Sequence, residues 1–388
     1  GTVDHEGFGH RRQDALRDLD GLLARIRLGE VLAQHYELVA TESGDGVTGT
    51  DDVLQALRAL YPDARQIGCS TSGEISGVEV TDDTVVATAM ELEHATIRIA
   101  HVRLANASES AEAGAKLARE LAGEGLSHLF VLAEGLNING TELVRGLRDS
   151  LPARVAVTGG LAGDAAKFEQ TLVCVDGEVL SGAVVGVAFY GDRLRVGYGS
   201  MGGWDSFGPD RTITRASGNV LYELDGSPAL DLYKTYLGPH AADLPSSGLL
   251  FPLSIAGEGD RRIVRTILGI DEAAGSLTFA GDMPEGAQAR LMKANVDRLI
   301  DGAHGAADAS IEPLAGNTAS VAILISCVGR KLVLKQRVEE EVESVREVLG
   351  ADTVLGGFYS YGEISPFSSS ARCELHNQTM TITTFSER

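Results

Sequence analysis

"IGCSTSGEISG" (67–77) and "GGFYSYGEISPF" (356–367) stand near opposite ends of the chain and write one phrase twice. Gly68 matches Gly357, and Gly73 matches Gly362. Glu74, Ile75 and Ser76 match Glu363, Ile364 and Ser365, while Thr71 and Ser360 agree in kind. Each phrase follows an apolar run, so it reads as a strand entering a glycine-marked loop. Repetition on this scale points to one structural junction used in more than one unit, by duplication or internal pseudo-symmetry.

The surroundings of each phrase support that reading. "YELVATESG" (36–44) predicts a strand, "TDDVLQALRALYPD" (50–63) a helix stopped by Pro62, and "RQIGCS" (65–70) a second strand. The layout recurs in "SHLFVLAEG" (127–135), "NGTELVRGLRDSLP" (139–152) and "RVAVTGGLAGD" (154–164). It recurs again in "SVAILISCVG" (320–329), "LKQRVEEEVESVREVLG" (334–350) and "DTVLGGFYSYGEISP" (352–366). Between these units the pattern predicts a hairpin over 84–104, a helix over 108–122 and several strands over 171–216. Further on it predicts a helix over 226–238, a meander over 249–292, a helix over 293–305 and one last strand over 373–387. Upstream, leucine spacing predicts a helix over 13–33 behind a loose tail. The fold class is mixed α/β with substantial antiparallel sheet and two pseudo-related halves. The expected division is a tail and helix over 1–29, one domain over 30–225 and another over 226–388.

Composition narrows the function. The 388 residues carry a net charge of −22, which leaves no basic footprint for nucleic acid and disfavours an anionic membrane surface. No apolar run is long enough to span a bilayer and no signal peptide is visible. Four cysteines, Cys69, Cys174, Cys327 and Cys373, include no CxxC pair. That fits neither a disulfide scaffold nor a zinc site, and a reducing cytoplasm is the expected location.

Ligands of open α/β sheets gather outside the carboxyl ends of strands, where all three glycine loops fall. Their expected contacts are Ser70, Thr71, Gly73 and Glu74; Gly159, Gly160, Gly163 and Asp164; and Tyr359, Tyr361, Gly362 and Glu363. His376 and Asn377 in "CELHNQT" join them. Hydroxyls, free backbone N–H groups and carboxylates suit a small polar ligand with an acidic and a cationic end. The plainer alternative is that the glycines only make tight turns and His376 holds the last strand. Trp204, in "MGGWDSFGP", reads as a turn residue packed on the meander, with a lid over the pocket as the alternative. Walker A, GxSxG and HExxH motifs are absent, so no catalytic group is expected. An enzyme would need Ser70 or Cys69 as nucleophile beside a histidine base.

The strings "IGCSTSGEISG", "VTGGLAGD" (157–164), "GGFYSYGEISP" and "CELHNQTMTITTFSE" (373–387) resemble the signatures of FIST domain proteins, over nearly the whole chain. The resemblance implies an N-terminal and a C-terminal FIST part and a role as an intracellular, mainly bacterial sensory domain binding small ligands such as amino acids. With no kinase, receiver or cyclase sequence attached, the output is expected to pass to a separate partner, such as a histidine kinase or a cyclic-di-GMP enzyme, or to an output domain that this sequence does not include. Some members resemble hemoproteins that sense nitric oxide. On that alternative a non-covalent heme would take His376 as axial ligand, with His94 or His101 next; otherwise no cofactor is expected.

Overall fold

The computed structural model describes residues 26–28, 37–42, 54–59 and 61–387, apart from 166, 258–261 and 368–371. Three parallel strand pairs, each bridged by helix, form its frame. Glu37–Glu42 lies beside Arg65–Ser70, with a helix over 54–59 between them. Leu126–Ala133 lies beside Ala156–Leu161, bridged by the helix Gly140–Ser150. Val321–Cys327 lies beside Val354–Ser360, bridged by the helices Val328–Leu334 and Val338–Leu349. Each first strand also takes one antiparallel neighbour: Val85–Met90, Ala183–Tyr190 and Met380–Glu387 respectively.

The other side of each pair is completed by a hairpin from a different unit. The first unit's hairpin, Glu74–Ser76 with Glu79–Thr81, pairs with Val354–Ser360 of the third. The third unit's hairpin, Gly362–Pro366 with Cys373–His376, pairs with Ala156–Leu161 of the second. The second unit's hairpin, Val173–Val175 with Glu178–Leu180, pairs with Arg65–Ser70 of the first. The exchange is cyclic, so three six-stranded sheets interlock. Both copies of G-E-I-S are the first strand of such a hairpin.

The register explains the shared glycine ahead of each loop. Gly68, Gly159 and Gly357 sit opposite Ala40, Val131 and Leu324 across the parallel pairs. They face the hairpin residues Cys174, Ile364 and Ile75. A Cβ at Gly159 would lie 1.8 Å from the Val131 carbonyl oxygen, and one at Gly357 would lie 1.9 Å from that of Leu324. No side chain fits at that approach.

A fourth, antiparallel sheet is inserted between the second and third units. Its strands include Asp205–Ser217, Val220–Leu224, Leu253–Ala256, Ile267–Asp271, Ser276–Phe279 and Gln288–Lys293. The sheet curves as a half-barrel around its own core, with Leu221, Tyr233, Leu277 and Phe279 at the centre. No helix of the described residues is long and apolar enough to cross a membrane.

Several sequence expectations are corrected. Val85–Met90 and Thr96–Arg103 do not form a hairpin but lie in different sheets. The link between them, "ELEHA", lacks the Asn-Gly or Gly-X chemistry of a tight turn. The last strand is two strands, broken at Gln378, whose φ is 65°. Within the expected helix 13–33, Ile26–Leu28 is a strand paired parallel with Val85–Ala87; residues 13–25 fall outside the described residues. The helix foreseen over 293–305 runs on as Val296–Ile311.

The third unit is locked to its helices by a buried ion pair. Arg330 donates to Glu341 Oε2 from Nε and Nη2 at 3.0 and 2.7 Å, and both side chains are 0% exposed. The remaining donors reach the Gly202 and Leu299 carbonyls at 2.5 and 2.7 Å. Glu341 Oε1 accepts from Tyr359 Oη at 2.7 Å and Ser326 Oγ at 3.1 Å. Removing one partner leaves the other charge buried and unpaired. Arg330→Met is therefore expected to cost about 3–5 kcal/mol in urea unfolding. A loss under about 1 kcal/mol, the scale of a surface pair, would contradict this reading.

Candidate functional site

The loops following the strand ends meet as the sequence predicts. Ser72 N donates to Tyr359 O, Gly163 N to Ser70 O and Ala165 N to Thr71 O, at 2.8, 2.9 and 3.1 Å. The approach is close enough that a Cβ on Gly163 would lie 2.3 Å from Ser72 Oγ. Most of these residues are consumed in holding the junction. Ser70 Oγ accepts from Leu172 N at 2.9 Å, and Gly73 O accepts from Tyr359 N at 2.8 Å. Gly160 and Gly362 lie in the backbone pairing of the third unit's hairpin with the second unit.

The repeated glutamates are fully buried and act as staples. Glu74 Oε1 accepts from Thr71 Oγ1 at 2.5 Å, and its Oε2 accepts from Thr84 Oγ1 at 2.8 Å. Glu363 Oε1 accepts from Ser360 Oγ at 2.8 Å, and its Oε2 accepts from Thr379 Oγ1 at 2.8 Å and Thr379 N at 3.1 Å. Thr84 and Thr379 each stand one residue before the strand that flanks its unit's parallel pair on the antiparallel side. Each carboxylate thus ties an exchanged hairpin to the start of the next strand of its own unit. In the second unit the same register position holds Val173.

Of the expected contacts, Tyr361 lines a cleft. A cleft of about 100 Å³ lies between the loops and the half-barrel sheet. Its loop side is made by Leu136, Leu161, Phe168, Cys327 and Tyr361; its sheet side by Asn219, Thr266, Leu268, Phe279 and Ala280. Tyr361 stacks on Phe168, with ring centroids 4.6 Å apart and planes 12° from parallel. Asp164 builds this wall from behind. It accepts from the Tyr361 hydroxyl and from the backbone N–H of Phe168, Glu169 and Gln170, which wraps the loop and sets Phe168 in place. Burial, and then Asp164, push the Tyr361 phenol above its usual range, so it stays a donor.

Phe168, Thr266, Leu268 and Phe279 were not foreseen as site residues. Phe168 had a weak signal, a lone aromatic in a polar loop past a strand end. The other three come from the inserted sheet, and nothing in their local sequence marks them.

His376 and Asn377 stand behind the wall. His376 Nε2 donates to Ser365 O at 2.9 Å, and burial holds its pKa down at about 4, so the ring is neutral. Asn377 Nδ2 donates to Tyr361 O at 3.4 Å. Trp204 is no lid: its Nε1 donates to Gln378 O at 2.9 Å, and it packs on Met292 and Leu299. An axial heme ligand needs a ring nitrogen facing a porphyrin-sized space. His94 and His101 are exposed, and among the described residues no histidine lines the cleft. These residues do not fit a heme.

The nucleophile alternative has no support in the geometry. Ser70 Oγ is engaged by the Leu172 backbone. Burial, followed by Cys174 and Glu74, pushes the Cys69 thiol well above its ordinary range. A buried thiol of that kind is inert.

Comparison with known proteins identifies the family. The FIST N domain model matches residues 43–227 and the FIST C domain model matches residues 229–366. The two parts define a paired sensory domain, and the chain belongs to the FIST family. FIST domains are sensory domains. No curated protein matches the chain. Among solved structures, the crystal structure of cyanuric acid hydrolase from A. caulinodans aligns at 10% identity over 76% of this chain and 99% of that one. Its TM-score of 0.18 is too low to carry an argument about fold or activity.

Burial raises the Glu363 pKa from 4.5 to about 8, against the lowering effect of the Ser360 and Thr379 hydrogen bonds. The folded state therefore keeps a proton that the unfolded chain releases. This contribution to stability is fully present below pH 4.5 and is lost as pH rises through about 8. Glu363→Gln is expected to flatten that fall, gaining on the wild type steadily across the window in thermal unfolding at stepped pH. A constant difference between the two proteins at every pH would show that folding leaves the Glu363 pKa unchanged.

Proposed function

We propose that the chain is a sensory module that takes a small ligand into the cleft between the strand-end loops and the half-barrel sheet. A separate signalling protein reads its occupancy. One observation carries this reading: the cleft is walled from both sides, and each side presents one exposed apolar lip. Phe168 is 40% exposed on the loop side and Leu268 is 44% exposed on the sheet side. A ligand between them gains apolar contact from both walls, so binding biases how the sheet sits on the three-unit frame. The family resemblance points to a histidine kinase or a cyclic-di-GMP enzyme as the reader.

A ligand at ~100 times its dissociation constant adds about 2.7 kcal/mol, which shifts the unfolding midpoint of a chain this size by a few degrees. Screening amino acids, small acids, amides, nucleotides and hemin by thermal unfolding is expected to find such a compound. Ala280 is half-buried in the cleft wall, and Ala280→Leu is expected to fill the space and abolish the shift. A full shift retained in that variant would place the site elsewhere.

A further inference from the structure

The chemistry of the cleft narrows its ligand, on the reading that the cleft is the sensory site. Among the described residues, none that lines it is Asp, Glu, Lys, Arg or His. The acids of the three loops are turned away: Glu74 and Glu363 are sealed by threonines, and Asp164 is held by backbone N–H groups and the Tyr361 hydroxyl. The titratable groups that do face the space are neutral. Burial pushes the Cys327 thiol and the Tyr361 phenol above their ordinary values.

One polar atom in the wall is unanswered. Thr266 is 3% exposed, and its Oγ1 has no hydrogen-bond partner among the described residues. Buried hydroxyls are paired in nearly all proteins, and this orphan lies just under the surface of a cleft-lining residue, where a ligand or water drawn against the wall would complete the bond. Asn219, beside it in the lining, is already turned to donate to Phe279 O at 2.7 Å. A charged group placed here would lose its hydration and meet no counter-ion, a cost of several kcal/mol. The volume of about 100 Å³ exceeds what one water needs. It stays below the ~150 Å³ of a cavity that admits benzene.

We infer that the ligand of this cleft is a compact, uncharged molecule with an apolar body and one hydrogen-bonding group that pairs with Thr266 Oγ1. The zwitterionic amino acid expected from the loop carboxylates is the occupant this lining disfavours most.

The test is a panel of shape-matched fragments in four charge states, with isobutyramide, isobutyrate, isopropylammonium and alanine as one set. Binding to the full chain is measured by ligand-observed NMR. Neutral members are expected to bind at least about tenfold more tightly than their charged counterparts. Thr266→Val keeps the shape and removes the hydroxyl. It is expected to weaken the neutral members about fivefold, the worth of one hydrogen bond, and to leave the unliganded midpoint equal or higher. Charged or zwitterionic members that bind as well as the neutral ones, and lose binding in Ala280→Leu, would overturn the uncharged assignment while leaving the cleft as the site. If no member of any charge class binds, or if binding ignores Ala280→Leu, the inference falls together with the cleft.

Discussion

Two buried glutamates staple two of the three exchanged hairpins on which the architecture rests. Glu74 and Glu363 each reach one hydroxyl three residues back and another just before the antiparallel strand of the same unit. These bonds tie the hairpins of the first and third units to their own units, whereas the second unit's hairpin, with Val173 in that place, is set without one. Each buried carboxyl finds its hydrogen-bond partners within a few ångströms, although at Glu363 burial outweighs them. Once the hairpins are placed, three sheets close on one another and every glycine loop is drawn to the same region.

The cleft follows from that closure. Exchange brings the loops at 70–73, 161–165 and 359–361 into mutual backbone contact, which uses up their N–H groups and leaves little for a ligand. What remains is the outer surface of that contact, where Tyr361 and Phe168 stack. The inserted sheet packs against this surface incompletely. The loops therefore act as scaffold, and the ligand-facing chemistry is divided between one aromatic wall and a sheet from the other half of the chain.

The repeated phrase and the three strand–helix–strand units were legible because parallel pairs write apolar runs bounded by helix signals and glycine. The convergence of the loops was legible because strand ends in such units face one way. The role of the glutamates was not. A carboxylate in a glycine loop reads alike whether it faces a ligand or a threonine, and Thr84 and Thr379 lie 10 and 16 residues away. Thr266 and Leu268 were illegible for a different reason, since their importance lies in where the inserted sheet lands on the frame. The break at Gln378 did leave a mark in the sequence: His376, Asn377, Gln378 and Thr379 are four polar residues in a row, and the apolar positions shift phase from 373 and 375 to 380 and 382.

The account's central claim is that both walls of the cleft respond to one ligand. Hydrogen–deuterium exchange, with and without the compound that most raises the unfolding midpoint, tests it directly. Slower exchange should appear together in residues 164–170 and 266–280, on the two sides of the opening. Slowing confined to one wall, or centred on the junction at 70–74, would contradict it.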